Sequence, residues 1–296
     1  MSTEVAVFSH NPEKIAFLTD SCADLSPKLR KGKPVFVVPL NIRCAQGEFQ
    51  DGETIFAQDI YHLQAQGEMP HTSLPDGGCV DAVLDKIAKL GYEKVAAIHL
   101  SSGLSGTCNL VRLKAAERTG LEIRVFDSLS GSLGLGATVL QAWEDVRAGM
   151  PWHTLVEQRI PRLIEQTFPF FSVDTLEYLH KGGRIGKISA IAGTMLNIKP
   201  LITFTPDGQL VSVAKVRGRQ AVQPKFLELL QKHTSGHGRY NLAVANGGSP
   251  QEMEALAKKL KEAFPNHEHI WKAEIDATLS SYIGAGVLGA AIQFLD

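Results

Sequence analysis

The sequence has few of the residues that mark disulfide-rich or metal-binding proteins. Its 296 residues include four cysteines, and no two of them form a Cys-x-x-Cys pair. They are Cys22, Cys44, Cys79 and Cys108. Scattered cysteines argue against a disulfide framework and against a zinc site, and they are typical of reduced thiols in a cytoplasmic protein. We therefore expect a cytoplasmic location and no bound metal.

The chain also lacks an excess of charge and a long apolar run. Its 30 basic and 31 acidic residues give a formal net charge of −1. No basic block stands out, so nucleic acid is not expected as a partner. No apolar run has the roughly 20 residues that a membrane-spanning helix requires, so we expect no stable membrane insertion. The hydrophobic fraction of 44% can fill one large domain or two modest ones.

The first half of the sequence alternates between short apolar runs and stretches with helical periodicity. The apolar runs predict strands over 14–20, 35–40 and 121–127, with a fourth beginning at Val95. The periodic stretches predict helices over 55–66, 80–90 and 133–147. A polar, turn-rich segment over 41–52 predicts a β-hairpin. This alternation predicts the α/β class, with a parallel sheet and helices on its faces.

The second half of the sequence has the pattern of an α+β domain. Apolar runs over 198–205 and 210–216 flank a Pro-Asp-Gly turn and predict an antiparallel hairpin. Ser249 with Glu252 predicts a helix start with a capping box. We place a domain boundary near residue 165. This gives an N-terminal domain of residues 1–165 with a parallel sheet and a C-terminal domain of residues 166–296 with antiparallel strands.

The loop at residues 101–107 (SSGLSGT) is the first candidate for a binding site. It follows the strand that begins at Val95 and leads into a helix, so it lies at the carboxyl edge of the sheet. Backbone N–H groups and hydroxyls that meet at such a place favour a small anionic group. The alternative is a serine-rich helix cap and turn without a ligand, and the loop alone does not decide between the two.

The glycine-containing segments do not match a nucleotide-binding motif. The 101–107 loop lacks the Gly-Lys-Ser/Thr of a P-loop, and Thr107 stands where a nucleophile elbow needs its second glycine. Residues 131–136 (GSLGLG) have the dinucleotide fingerprint reversed, and close packing of a helix on a strand explains them better. We therefore expect no nucleotide cofactor.

Four segments in a fixed order carry a resemblance to a known family. They are residues 19–21 (TDS), 72–75 (TSLP), 100–107 (LSSGLSGT) and 174–185 (DTLEYLHKGGRI). The pattern continues through 198–201 (IKPL), 215–219 (KVRGR) and 284–286 (GAG), so it spans nearly the whole chain from Lys14. On these motifs the sequence resembles the DegV family of bacterial fatty-acid-binding proteins. Several members of that family are the acyl-carrying subunits of fatty acid kinase.

The resemblance implies two α/β domains with a long-chain fatty acid in a deep apolar pocket near their junction. It places the fatty-acid carboxylate on Thr72 and Ser102, with Ser73 and Ser101 in support. Proteins of this kind present the carboxylate to a separate kinase, which brings ATP and Mg²⁺. The resemblance thus implies a lipid-binding protein that performs no catalysis alone and has no cofactor besides its ligand.

The resemblance also assigns one face to the kinase partner. Arg184 and Arg217 match the arginines associated with docking and phosphoryl transfer, and Tyr282 belongs to the same face. Two positions depart from the family pattern: Asp76 stands where a small residue is usual, and Tyr282 stands where the family has a histidine. Tyrosine stays neutral near pH 7, so we expect the second change to affect phosphoryl transfer more than ligand binding.

Two other functions are compatible with the sequence. A serine hydrolase or acyltransferase would use Ser102 or Ser105 as its nucleophile, although no His and Asp residues have recognisable triad context. The third possibility is an interaction domain with an empty pocket.

Overall fold

The structure is a computed structural model that describes residues 10–188, 197–234 and 238–296. Its first seven strands are β1 (Ile15–Asp20), β2 (Val35–Val38), β3 (Asn41–Cys44), β4 (Gly47–Gln50), β5 (His71–Ser73), β6 (Lys94–His99) and β7 (Glu122–Asp127). Four of them form a parallel sheet in the order β2-β1-β6-β7, and the other three form an antiparallel sheet in the order β4-β3-β5. The predicted parallel sheet and the predicted hairpin over 41–52 are therefore confirmed.

The helices of the N-terminal half are α1 (Pro27–Arg30), α2 (Ala57–Ala65), α3 (Gly77–Lys89), α4 (Thr107–Ala116), α5 (Leu133–Arg147), α6 (Trp152–Thr154) and α7 (Ile160–Glu165). Helices α3 and α4 cover one face of the parallel sheet and α5 covers the other. A 3₁₀ turn at Ser21–Ala23 follows β1, and the π-helical residues Leu155–Arg159 join α6 to α7. Side chains alternate across a strand, so Leu18 of β1 packs with α3 and α4 while Phe17 packs with α5.

The C-terminal half contains one six-stranded sheet. Its strands are β8 (Thr167–Ser172), β9 (Ile198–Phe204), β10 (Leu210–Arg217), β11 (Tyr240–Asn246), β12 (His267–Glu274) and β13 (Leu288–Phe294). The order is β10-β9-β8-β13-β11-β12, and each pair is antiparallel except β11 with β12. The helices of this half are α8 (Glu177–Lys181), α9 (Val222–Gln231), α10 (Pro250–Ala263) and α11 (Ala277–Ile283). None of the helices in the described ranges is long and apolar enough to cross a membrane.

The start of α10 differs from the sequence prediction in its capping. The helix begins at Pro250 as expected, but the Ser249 side chain makes no capping hydrogen bond. The Ser249 backbone N–H instead donates to Asn246 Oδ1 at 2.8 Å, and the Glu252 carboxylate accepts from Arg219 Nε at 2.9 Å. The predicted capping box is wrong because Arg219 occupies the carboxylate that the box requires.

Helix α5 lies between the two larger sheets. It contacts β1 and β6 on one side and β8, β11, β12 and β13 on the other, and most of its residues are buried. Gly136 lets α5 approach the 3₁₀ turn after β1 closely, since a Cβ at this position would overlap the carbonyl oxygen of Ala23. The two sheets therefore share one hydrophobic core. The domain boundary near residue 165, between α7 and β8, stays a prediction.

Candidate functional site

A cavity of about 270 Å³ lies between α5, the C-terminal sheet and the loops that follow β5 and β6. Most of its wall is apolar. Leu100, Leu133, Phe170 and Phe204 contribute large side chains, whereas β11 and β13 contribute Ala243, Ala245 and Ala291. Because alanine side chains are short, these two strands leave a space that larger residues would fill. The cavity can accept an extended apolar group.

Polar residues gather on one part of the cavity wall. They are Thr72, Ser73, Ser105, Arg184 and Tyr282, here called the polar mouth. Ser73 and Arg184 are exposed and the other three are half-buried, so this part of the cavity faces solvent. Hydroxyl groups and a guanidinium are donors that suit a carboxylate. The mouth can therefore hold one small anionic group at the end of the apolar cavity.

Two elements from opposite ends of the chain bring Thr72 and Tyr282 together. Thr72 is held in β5, opposite Ile42 of β3, and Tyr282 lies in the last turn of α11. The Thr72 Oγ1 and Tyr282 Oη atoms are 2.5 Å apart, which is hydrogen-bonding distance for two hydroxyls. Tyr282, at the position where the resemblance leads one to expect histidine, thus lies in the mouth itself.

Arg184 is fixed over the ring of Tyr282. Its guanidinium carbon lies 5.1 Å from the ring centroid, which is a cation–π arrangement. Arg184 Nη1 donates to the carbonyl oxygen of Gly182 at 2.9 Å, and its Nε donates to that of Leu104 at 3.4 Å. These contacts hold a permanent positive charge at the polar mouth.

The four serine and threonine residues that the resemblance assigns to the carboxylate divide into two pairs. Thr72 and Ser73 line the cavity. The Ser101 hydroxyl is buried and donates to the carbonyl oxygen of Gly208 at 2.7 Å. The Ser102 side chain is exposed, and its backbone N–H donates to the Asp127 carboxylate at 3.2 Å. In this structure Ser105, rather than Ser101 or Ser102, brings the serine loop to the cavity wall.

The backbone N–H groups of the 101–107 loop are largely occupied. Gly103 N–H donates to Ser101 Oγ, Leu104 and Ser105 N–H donate to the Ser101 carbonyl oxygen, and Thr107 N–H donates to Ser105 Oγ. Because they are bonded within the loop, these N–H groups do not converge on an anion, contrary to what the sequence predicts. The side chains of the polar mouth are the available donors.

The other two predicted positions lie outside the mouth. Arg217 ends β10 with an exposed side chain and forms no ion pair or hydrogen bond with any described residue through its guanidinium. Asp76 caps α3, since its carboxylate accepts from the Gly78 backbone N–H at 2.7 Å. The capping role accounts for the aspartate at this position without a ligand.

A buried histidine–aspartate pair is present, but its histidine bonds none of the candidate serines, since His99 Nε2 has no hydrogen-bond partner among the described residues. His99 Nδ1 and Asp20 Oδ2 are 2.9 Å apart, and both side chains are fully buried. The same Asp20 oxygen accepts from the Leu100 backbone N–H at 2.9 Å, and neither residue lines the cavity. The pair therefore does not form a triad with Ser105 at the cavity wall.

Sequence reasoning missed a cluster of three carboxyl groups beside the cavity, formed by Asp24, Asp51 and Asp276. Asp276 precedes the helical run over 277–283, which is the pattern of an N-cap and could have placed it at a helix start. No local pattern indicates that Asp24 and Asp51 approach it, because they lie more than 200 positions away in the sequence.

Comparison with known proteins agrees with the family that the sequence motifs indicate. A sequence model described as "Uncharacterised protein, DegV family" matches residues 14–294. A DegV domain-containing protein of Clostridium perfringens is 33% identical over 284 residues, which cover 95% of this chain and 99% of that protein.

Solved structures of other proteins share the fold, among them two from Thermus thermophilus and Bacillus subtilis. A DegV family protein from Thermus thermophilus, described as fatty acid binding, is 30% identical with a TM-score of 0.88 and covers 95% of this chain and 100% of its own. DegV from Bacillus subtilis, described as a fatty acid binding protein, is 25% identical with a TM-score of 0.84, over 95% and 99% of the two chains. Since the family match spans all the motifs from residue 19 to residue 286, the chain belongs to the DegV family.

Proposed function

We propose that this protein binds a long-chain fatty acid, with the acyl chain in the cavity and the carboxylate at the polar mouth. The observation that carries the proposal is an apolar cavity that ends at the Thr72–Tyr282 pair and Arg184. The relatives from Thermus thermophilus and Bacillus subtilis, both described as fatty acid binding, support it. A ligand with a long apolar part and one charged end matches the two parts of the wall.

The acyl chain supplies most of the affinity. Burial of a methylene group contributes ~0.8 kcal/mol, so about fifteen of them give an upper bound near ~12 kcal/mol before the costs of ordering and association. A hydrogen bond from a neutral donor contributes only ~0.5–1.5 kcal/mol, and somewhat more when the acceptor is charged. The mouth therefore fixes the orientation of the ligand rather than its affinity.

The Thr72–Tyr282 pair suits a carboxylate. When the two hydroxyls are paired, one donates its proton to the other, so only one of the two O–H groups remains available to donate to a ligand. A carboxylate between them accepts from both, and one hydrogen bond is exchanged for two charge-assisted ones. Arg184 adds a positive charge, and Ser73 and Ser105 add donors. The carboxylate roles of Ser101 and Ser102 stay predictions.

We further propose that the bound carboxylate is presented to a separate ATP-dependent kinase. The solvent-exposed mouth supports this, because neutral hydroxyl donors leave a carboxylate oxygen accessible to a phosphoryl donor. Arg217 supports it too, since its exposed guanidinium has no ion pair within the described ranges and can meet a charged partner. On this proposal the chain carries the substrate and performs no catalysis alone.

Mass spectrometry of an organic extract tests the binding proposal. We expect the purified protein to yield long-chain fatty acid in near-equal molar amount, without a covalent bond to the chain. Ala291→Phe fills the cavity from β13 and is expected to remove the lipid, whereas Ala148→Phe, on the exposed end of α5, is the matched control. A folded protein that yields no fatty acid, or an unchanged yield from Ala291→Phe, would contradict the proposal.

A further inference from the structure

Three carboxyl groups hold the first turn of α11: those of the buried residues Asp24 and Asp51, and that of Asp276, a half-buried residue whose Oδ2 atom is enclosed. Asp24 Oδ1 accepts from the backbone N–H of Asp276 at 2.8 Å. Asp51 accepts from the N–H groups of Ala277 and Thr278 at 3.0 and 3.2 Å. Asp276 Oδ1 accepts from the N–H of Leu279 at 2.7 Å. The three carboxyls come from the 3₁₀ turn after β1, from the turn after β4 and from α11 itself, so the cluster fastens this helix to the N-terminal sheets.

The cluster has no basic partner to balance its charge. Among the residues the structure describes, no lysine, arginine or histidine forms an ion pair with Asp24, Asp51 or Asp276. The titratable groups that face it are Asp20 and Cys22 from β1 and the 3₁₀ turn, Tyr61 from α2 and Glu274 from β12. The elements at the other end of the helix, β5 and α8, carry His71, Glu177, Tyr178, His180 and Lys181.

Burial and mutual repulsion favour the neutral form of these groups. Desolvation raises the pKa of Asp24 to about 7. Desolvation and the carboxylates of Asp51 and Asp24 raise the pKa of Asp276 well above its usual range. Desolvation likewise raises the pKa of Cys22 well above the usual range and that of Tyr61 to about 12, so both groups stay neutral near pH 7 and add no charge to the cluster.

A proton explains the hydrogen bonding better than a metal ion does. Cys22 Sγ and oxygens of Asp51 and Asp276 lie within 4.8 Å of one another, which is close enough for a cation. Both oxygens of Asp51 already accept backbone N–H groups, however, and Asp276 Oδ2 is the buried carboxyl oxygen that receives no hydrogen bond from a described residue. A protonated Asp276 would donate through this oxygen to a neighbouring carboxylate. Each of the three carboxyl groups would then have hydrogen-bond partners for both of its oxygens.

Helix α11 connects the cluster to the cavity. Thr278, Leu279, Tyr282 and Ile283 of this helix line the cavity, and Tyr282 bonds Thr72 at the polar mouth. Tyr61 and Gln64 of α2 hold the middle of the helix through Ser280. A displacement of its first turn would therefore move the cavity wall and separate Tyr282 from Thr72.

We propose that a proton shared within the Asp24–Asp51–Asp276 cluster positions α11 and thereby controls release of the ligand. This inference rests on the proposed function, because it concerns how a bound fatty acid is retained. Loss of the proton leaves three like charges around one helix start, and their repulsion loosens the helix and opens the cavity. Asp276 is on this view a positioning residue that acts through Tyr282. Ligand affinity then falls as pH rises through neutrality.

Asp276→Asn tests the proposal because asparagine resembles the protonated acid. Its Oδ1 can still accept from Leu279, and its amide donates where the acid proton would. Delipidated protein is titrated with the fluorescent fatty acid cis-parinaric acid from about pH 6 to about pH 8.5. We expect an affinity loss of roughly tenfold in the unaltered protein and less than about threefold in Asp276→Asn. Parallel pH profiles would overturn the proposal. Asp24→Asn serves as the second variant if Asp276→Asn does not fold.

Infrared difference spectroscopy separates this proposal from the proposed function. The unaltered protein should show a protonated carboxyl C=O band at neutral pH that Asp276→Asn lacks, whether or not fatty acid binds. Absence of that band would overturn the shared proton. A folded protein with the band but with no saturable binding of cis-parinaric acid at about pH 6 would instead contradict the proposed function and, with it, the control of release.

Discussion

The hydroxyl oxygens of Thr72 and Tyr282 lie 2.5 Å apart, although 210 positions separate the two residues in the chain. One belongs to a three-residue strand of the small antiparallel sheet, and the other belongs to the helix that follows β12. Their contact joins the N-terminal and C-terminal halves of the chain at the polar mouth. On the proposed function, this pair orients the carboxylate of the ligand, whereas the acyl chain supplies most of the affinity.

Removal of either hydroxyl should weaken fatty-acid binding modestly. Tyr282→Phe and Thr72→Val each delete one donor to the carboxylate, so we expect a loss of about 3- to 10-fold in affinity for each variant. The two losses should not add, because each residue also positions the other. Titration with cis-parinaric acid measures the effect, with Tyr178→Phe outside the cavity wall as the control. Unchanged affinity in the double variant would place the head group elsewhere.

Tyr282→His should improve phosphoryl transfer to the bound ligand. A histidine can be protonated near neutral pH and stabilise charge beside the carboxylate, whereas the tyrosine hydroxyl stays neutral. We expect a higher rate of acyl-phosphate formation with one ATP-dependent fatty acid kinase, and ligand affinity within a few-fold of the unaltered protein. Equal, high rates for both forms would end this hypothesis.

Substitutions of Arg184 and of Arg217 should have different effects, the first on ligand binding and the second on the kinase partner. The resemblance assigns both to the kinase face, but only Arg184 lies on the cavity wall and over Tyr282. Arg184→Ala removes the positive charge at the mouth and should weaken ligand affinity about 3- to 10-fold. Arg217→Ala should leave affinity unchanged and lower acyl-phosphate formation. Full transfer activity without Arg217 would remove it from the partner face.

The structural features that could be predicted from the sequence are those set by residues close together in the chain. Strand and helix positions follow from apolar periodicity, and the β9–β10 hairpin follows from its Pro-Asp-Gly turn. The mouth was predicted only in part, because the Ser101 hydroxyl is taken by the carbonyl oxygen of Gly208, 107 positions away. The α10 capping box was wrong for a similar reason, since Arg219 reaches Glu252 from 33 positions away. Contacts between distant segments leave no trace in a local pattern.

The carboxyl cluster should make the stability of the protein fall as pH rises. The pKa of Asp24 is raised from an ordinary value near 3.8 to about 7, so the folded state keeps a proton that the unfolded chain loses. Its contribution is present below pH 4 and is lost between about pH 4 and about pH 7. Desolvation and its neighbouring carboxylates raise the pKa of Asp276 well above its usual range as well. Asp276→Asn should therefore add roughly 1–3 kcal/mol to the free energy of unfolding at about pH 8 and little at about pH 4.

Urea unfolding at the two pH values measures this difference. Glu262→Gln is the matched control, because it removes the same charge from an exposed position of α10. An equal gain at both pH values would mean that the substitution acts through packing rather than through the proton.

Gly103→Ala should loosen the serine loop from the C-terminal sheet. A Cβ at Gly103 would lie 2.6 Å from the carbonyl oxygen of Gly208, and backbone atoms of the β9–β10 turn cannot move aside as a side chain can. We expect a loss of about 1–3 kcal/mol in the free energy of unfolding. Arg184 also bonds the loop through Leu104, so fatty-acid affinity should fall together with stability.

Gly77→Ala is the matched control for the loop substitution. Its nearest neighbour is the flexible end of Lys114 at 3.1 Å, and alanine favours the helix that begins there, so stability should be kept or slightly raised. Thermal unfolding of both variants, with and without added fatty acid, provides the comparison. If Gly103→Ala unfolds at the same temperature as Gly77→Ala, the loop does not depend on the turn for its position. If it unfolds earlier and also binds fatty acid less tightly, the contact between Gly103 and Gly208 holds the polar mouth in place.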